Sequence, residues 1–214
     1  ILQDLIDEEF GIGSDDDGAS PLLVRKPTEG QTESTVFAVV VGGKFAAIGD
    51  TGYSKKSEEE FSRMIRVMNG EPLSFIIHVG DFQADPRPYN AAPDRVSMPC
   101  VEESYAKVLT QFEGSAHPFV MTPGDNDWVD CHLLKARKTD PLELLEKVRR
   151  DFFPAGRSLG KRTMTVESQA QSGEFSKYRE NLTWTHNGVM FMTMHITGSN
   201  DNKCRTPEMD GEAA

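Results

Sequence analysis

The apolar residues of this chain follow two spacings, one typical of strands and one typical of helices. The first two apolar runs are Val36–Val41 and Lys44–Ile48, with Gly42-Gly43 between them. Two glycines between short apolar runs are typical of a β-hairpin. We therefore predict that the ordered part of the chain opens with two antiparallel strands.

A helix is predicted directly after this hairpin. Apolar residues recur there at helical spacing, at Phe61, Met64, Ile65 and Met68. Ser57 and Glu60 form the pattern Ser-x-x-Glu, which is typical of a capping box at a helix start. The pattern thus predicts an amphipathic helix that begins near Ser57.

The order of strand and then helix occurs three times. Further strands are predicted at Phe75–Val79 and Phe119–Thr122, and further helices at Val101–Phe112 and after Asp140. Strands that alternate with helices are typical of parallel β-α-β units. The chain is therefore predicted to be of the α/β class.

A second hairpin is predicted near the end of the pattern. Leu182–His186 and Val189–His195 are joined by Asn187-Gly188, a pair that strongly favours a two-residue turn. The second of these strands is expected to end at His195. Its methionines, Met190, Met192 and Met194, have strand spacing and are expected to lie in the core.

Four residues with metal-binding side chains follow predicted strands: Asp50, Asp81, Asp125 and His195. Ligands of open α/β sheets bind beyond the carboxyl ends of the strands. Any one of the three aspartates suits a turn or a helix cap, but three together would repel one another without a bound cation. Carboxylate oxygens suit hard cations, and imidazole adds affinity for zinc, iron or manganese.

Length and charge limit the possible partners. The chain has 214 residues, which suits one domain with tails, and its net charge is -11. That charge argues against a nucleic-acid backbone or an anionic membrane surface as a partner. We expect residues 1–33 to be an acidic, flexible arm and residues 34–214 to form the domain.

The motifs occur in an order that resembles the calcineurin-like metallophosphoesterases, a superfamily that includes the purple acid phosphatases. They are Gly49-Asp50-Thr51-Gly52, Gly80-Asp81, Gly124-Asp125-Asn126-Asp127 and Met194-His195. The sequences around Asp125 and His195 are similar to a divergent microbial subgroup. The resemblance implies a four-layer α/β/β/α sandwich, incomplete at its C-terminal end because the family's Gly-His-x-His segment is absent.

The resemblance also implies a function, the metal-dependent hydrolysis of phosphoesters by a metal-activated water. Two metal ions (Fe, Mn or Zn) would be bound, with Asp81 bridging them, Asp50 on the first, and Asp125 and His195 on the second. Gly52 and Asn126 replace histidines of the family. Because of these replacements, the alternative is a non-catalytic protein of the same fold that binds a ligand or partner.

Several other residues are candidates for the site. Asn126 and Asp127 are the catalytic candidates, although Asp127 equally suits a role in fixing the loop by accepting backbone N–H bonds. His78 is expected to be a hydrogen-bonded sheet residue, and His132 is a candidate for contact with phosphate or metal. Tyr53 also lies near the first motif.

Two cysteines, Cys100 and Cys131, lie in loops beside the proposed site. Buried free thiols are one interpretation. A disulfide is the other, because the two loops would lie side by side at one edge of the sheet. We predict the disulfide, and with it export to the periplasm or the extracellular space.

Overall fold

The computed structural model describes residues 34–40, 43–84, 99–133 and 140–196. The predicted N-terminal arm, residues 1–33, lies outside these ranges. The described residues form a mixed α/β structure with two sheets. None of the helices in these ranges is long and apolar enough to cross a membrane.

The first sheet has four strands in the order β1-β2-β3-β4. The strands are β1 (Ser34–Val40), β2 (Gly43–Gly49), β3 (Leu73–His78) and β4 (Phe119–Met121). β1 and β2 are antiparallel, whereas β2, β3 and β4 are mutually parallel. The predicted first hairpin and the parallel β-α-β units are both confirmed.

Three helices connect or follow the parallel strands: α1 (Lys55–Asn69), α2 (Glu102–Glu113) and α3 (Pro141–Phe152). The predicted capping box of α1 was wrong by three residues. Ser54 is the N-cap, and its hydroxyl accepts from the Ser57 N–H at 3.2 Å. The Ser57 hydroxyl accepts in turn from the Ser54 N–H at 2.8 Å, so a serine takes the place usually filled by glutamate.

The second sheet is antiparallel, in the order β5-β6-β7. Its strands are β5 (Glu167–Ser168), β6 (Leu182–His186) and β7 (Val189–Met192). The predicted Asn187-Gly188 hairpin is confirmed. The expectation that β7 extends to His195 was wrong, because the Leu182 N–H donates to the Thr193 hydroxyl at 3.0 Å instead of to a backbone carbonyl.

Aromatic contacts place the helices and the second sheet on opposite faces of the first sheet. Phe75 of β3 packs edge-to-face against Trp184 and Phe191 of the second sheet. His78, an odd number of residues further along β3, contacts Phe61 of α1 and Phe112 of α2. Odd spacing along a strand means opposite faces, so the core has one layer of side chains on each side of the first sheet.

Met190 and Met192 of β7, and Met194 just after it, are exposed, contrary to the expectation that they lie in the core. Met190, Met192 and Met194 are 75%, 59% and 55% exposed in the described structure. Their strand spacing was predicted correctly, but the buried face of this segment is the other one, which carries Phe191 and Thr193. We call the three exposed residues the methionine stripe.

Candidate metal centre

The first two Gly-Asp motifs form adjoining turns at the carboxyl ends of β2 and β3. The Asp50 N–H donates to the Gly80 carbonyl at 3.1 Å, and the Thr51 N–H donates to the Asp81 carbonyl at 3.0 Å. Asp50 and Asp81 both have left-handed backbone, with φ of 54° and 56°. This conformation is uncommon for a non-glycine residue, although aspartate adopts it more readily than most residues, and it clusters at functional sites.

Asp127 connects these turns to the turn after β4. Its Oδ2 accepts from the N–H groups of Asp81 at 2.9 Å and Gly124 at 2.8 Å, and its Oδ1 accepts from Gln83 at 3.1 Å. The Asp127 side chain is completely buried. Because both carboxylate oxygens bind backbone donors, the geometry favours the loop-fixing role over the catalytic one.

The glycines of these motifs let two turns approach closely. A Cβ on Gly124 would collide with the Asp81 carboxylate. Gly80 has a φ of +105°, and its Cβ would lie 2.8 Å from the Gly124 nitrogen. Any side chain at either position would therefore separate Asp81 from the turn that carries Asp125.

Neighbouring carboxylates affect the ionisation of Asp50 and Asp81. Burial raises the pKa of Asp81 to about 7, and the charges of Asp125 and Asp50 add to the increase. The pKa of Asp50 is also raised, mainly by burial, with a further contribution from Asp125. A cation among them would remove this repulsion.

The carboxyl groups of Asp50, Asp81 and Asp125 suit a metal cation because of the ligand atoms that they provide. Three carboxyl groups provide hard oxygen donors, and mutual repulsion is relieved when a positive ion binds. Within the described ranges, no three side chains of His, Cys, Asp or Glu already stand at metal-binding geometry. Binding of an ion by all three aspartates would therefore require their side chains to move from the positions in this structure.

Tyr53 and Asn126 lie within the same cluster. The Tyr53 hydroxyl donates to Asp50 Oδ1 at 2.9 Å, and Asn126 Nδ2 donates to the Tyr53 hydroxyl at 3.3 Å. The Asn126 backbone N–H donates to Asp81 Oδ1 at 3.2 Å. Burial and the nearby Asp81 and Asp50 raise the pKa of Tyr53, so its phenol remains a donor at ordinary pH.

His195 lies beyond the end of β7, so the expectation that it ends a strand was wrong. It follows β7 by three residues. Trp128 Nε1 donates to His195 Nε2 at 3.1 Å, and Trp128 belongs to the turn that follows Asp125. His195 Nδ1 lies 3.1 Å from Glu180 Oε1. The ring is thus beside the Asp125 turn and bound at both nitrogens.

Glu180 and Arg149 form a buried ion pair that was not predicted from the sequence. Arg149 Nε and Nη2 donate to the two oxygens of Glu180 at 2.9 and 2.7 Å, and both side chains are buried. The sequence contained one indication of this pair, since Arg149 occurs on the apolar stripe of α3 beside Leu145, Val148 and Phe152. A charged residue on a buried stripe indicates a buried partner.

His78 and His132 take part in local hydrogen bonds. His78 is fully buried, its Nδ1 accepts from the Gly80 N–H at 3.2 Å, and its Nε2 lies 2.9 Å from the Thr51 hydroxyl. The proton is therefore on Nε2, which donates to Thr51. His132 Nδ1 lies 2.7 Å from the Val129 carbonyl of its own turn.

Cys100 and Cys131 form a disulfide, as predicted. Their Cα atoms are 5.8 Å apart, within the usual range for a disulfide. The Cys100 N–H also donates to Gln83 Oε1 at 2.7 Å. The disulfide connects the segment after β3 to the turn after β4, and these segments follow Asp81 and Asp127.

Comparison of the chain with protein-family models, with curated proteins and with solved structures finds no significant match.

Proposed function

We propose that this protein is a metal-dependent phosphoester hydrolase of the calcineurin-like type that its motifs resemble. The observation that carries the proposal is the cluster of Asp50, Asp81 and Asp125 after parallel strands, in which burial and the neighbouring carboxylates raise the pKa of Asp50 and of Asp81. Two packed sheets with helices on one side are compatible with a four-layer sandwich.

The three aspartates would bind two cations from among Fe, Mn and Zn, with Asp81 between them and His195 as a further ligand. The metals would supply the Lewis acid that polarises a phosphoester and activates a water. The Tyr53 hydroxyl orients the Asp50 carboxylate through its hydrogen bond. Asp127 fixes the turns that carry the ligands.

Asn126 determines which substrates would react. Its amide can donate a hydrogen bond to phosphoryl oxygens, but it cannot release a proton to a leaving group. A general acid usually contributes about 10²–10⁴-fold to such a step. We therefore propose aryl phosphates or phosphoanhydrides, whose leaving groups need no proton, as the substrate class.

Metal binding is the first test. Protein purified without chelator should contain Fe, Mn or Zn by elemental analysis, and calorimetric titration with Mn²⁺ or Zn²⁺ should show binding. D81N should weaken binding at least tenfold because the Asp81 carboxylate, which interacts with both Asp50 and Asp125, would bind both proposed cations. D151N is the matched control, since Asp151 pairs with Lys147 on α3. Equal affinities for D81N and the unaltered protein would contradict the proposal.

Measurement of phosphoester turnover distinguishes the proposed hydrolase from the second candidate function, a non-catalytic protein of this fold. The replacement of a family histidine by Asn126 favours that candidate. The metal-loaded protein should hydrolyse para-nitrophenyl phosphate, and kcat/KM should fall steeply as the pKa of the leaving group rises. Bound metal without turnover of any phosphoester would favour the non-catalytic protein.

We also propose that the protein is exported. The support is the Cys100–Cys131 disulfide, because structural disulfides persist mainly in oxidising compartments. Fractionation of the native host should place the protein outside the cytoplasm, and a cytoplasmic location with both thiols reduced would contradict this proposal.

A further inference from the structure

The two ring nitrogens of His195 have different partners. Trp128 Nε1–H is a donor only, so His195 Nε2, 3.1 Å away, must accept with its lone pair. The imidazole proton is then on Nδ1, which donates to Glu180 Oε1 at 3.1 Å. His195 is thus a neutral imidazole whose Nε2 lone pair points at the Trp128 indole.

Glu180 and Arg149 fix this arrangement. The guanidinium of Arg149 binds both oxygens of Glu180, and the two side chains are 2% and 1% exposed. A buried arginine keeps the carboxylate ionised and in one orientation. A carboxylate behind an imidazole is the arrangement that presets a histidine to bind a metal through its other nitrogen.

Trp128 connects His195 to the turn that carries Asp125. Trp128 is three residues after Asp125, and its N–H donates to the Asp125 carbonyl at 3.3 Å. The indole and imidazole rings meet at an interplanar angle of 71°, with centroids 5.5 Å apart. The indole N–H therefore occupies the lone pair that His195 would need in order to bind a cation held at Asp125.

We propose that the Trp128 indole N–H occupies the metal-coordination position of His195 until a cation displaces it. This inference rests on the proposed function, since it needs a metal at the aspartate cluster. One lone pair cannot serve both the indole and a metal, so binding must break the Trp128–His195 hydrogen bond. Glu180 and Arg149 act as positioning residues, because they keep the proton on Nδ1 in both states.

NMR of the indole N–H groups tests this competition directly. Trp128 and Trp184 are the tryptophans of the chain, and W184F leaves a single indole resonance, that of Trp128. Titration with Zn²⁺, which is diamagnetic, should shift this resonance in step with metal binding measured by calorimetry. Stoichiometric Zn²⁺ binding with an unchanged Trp128 resonance would overturn the inference and leave the proposed function intact. Absence of Zn²⁺ binding would overturn both.

Variants provide the second measurement. W128F removes the competing donor, and a net hydrogen bond contributes about 0.5–1.5 kcal/mol, so Zn²⁺ affinity should rise roughly two- to tenfold. H195N should remove the Trp128 response to Zn²⁺, whereas H186N, at the β6–β7 turn, should retain it. Unchanged or weaker Zn²⁺ affinity in folded W128F, or a Trp128 shift that persists in H195N, would contradict the competition.

Discussion

At the scale of single residues, Asp127 decides how the candidate site is built. One carboxylate accepts three backbone N–H groups from two different turns, those of Asp81 and Gln83 and that of Gly124. The turns that present Asp81 and Asp125 are therefore fixed to each other before any metal binds. Asp127 supports the site without needing to contact a substrate.

We expect D127N to lower the free energy of unfolding by about 1–3 kcal/mol, because its Nδ2 would face a backbone N–H and leave that donor without an acceptor. Urea denaturation measures the change. D140N is the matched control, since Asp140 caps α3 by accepting from the Leu142 N–H, and asparagine caps equally well. Equal stability of D127N and D140N would show that the three hydrogen bonds contribute little.

His78 introduces a pH dependence. Burial lowers its pKa to about 3 from an ordinary value of 6.5. Between these values the unfolded chain binds a proton that the folded protein does not. The free energy of unfolding should therefore fall as the pH falls from 6.5, by at most about 1.4 kcal/mol per pH unit.

The H78N variant isolates this effect, because its Oδ1 can accept from the Gly80 N–H and its amide does not titrate. The difference in unfolding free energy between the unaltered protein and H78N should shrink as the pH falls from 6.5 to 4. The comparison of the two proteins is needed because the raised pKa of Asp81 makes the unfolding free energy of both rise as the pH falls, which opposes the effect of His78. Parallel curves for H78N and the unaltered protein would refute the argument.

Residue patterns predicted the acidic part of the site but not its supporting ion pair. Asp50, Asp81 and Asp125 follow glycine at the ends of apolar runs, so local sequence was enough to mark them. Arg149 and Glu180 are 31 residues apart and have no shared motif. Their pairing depends on how α3 packs against the segment before β6, which local periodicity does not contain.

At the scale of elements, the β6–β7 hairpin depends on its turn. Asn187 and Gly188 have φ of 49° and 77°, the left-handed values that a two-residue turn of this type requires. The pair predicted the turn because few other residues adopt this backbone without strain. The strand lengths were less predictable, since the Thr193 hydroxyl ends the regular pairing of β7.

G188A should cost about 1–2 kcal/mol of unfolding free energy, because alanine is strained at this φ. A Cβ at Gly188 would meet no atom within 4 Å, and the same is true at Gly173, where φ is not positive. G173A is therefore the matched control and should change stability by less than about 0.5 kcal/mol. Thermal or urea unfolding of the two variants measures the backbone strain alone.

At the scale of the whole molecule, the disulfide connects the segments that follow two parallel strands. It joins residues 31 apart in sequence, and closing a loop of this length stabilises a fold by roughly 3–4 kcal/mol through the unfolded state. Reduction with dithiothreitol should lower the unfolding free energy by about this amount. The C100A/C131A variant should not respond to dithiothreitol, and an equal response would assign the effect to another cause.

The order of the layers explains why the methionines near β7 are exposed rather than buried as expected. The spacing of Met190, Met192 and Met194 shows that they share a face, but spacing cannot tell which face meets the first sheet. The aromatic residues of β6 and β7 take the inner side, where Trp184 and Phe191 stack at an interplanar angle of 11°. Aromatic rings bury more apolar area than methionine, so they occupy the core.

The methionine stripe has a consequence for the chemistry of ageing. Thioethers on an exposed strand are open to peroxide, which converts them to sulfoxides that are polar and chiral. Met68 and Met121 are each 1% exposed and are protected from such attack. In an oxidising compartment the stripe would be modified first, and its apolar surface would become polar while the core stayed intact.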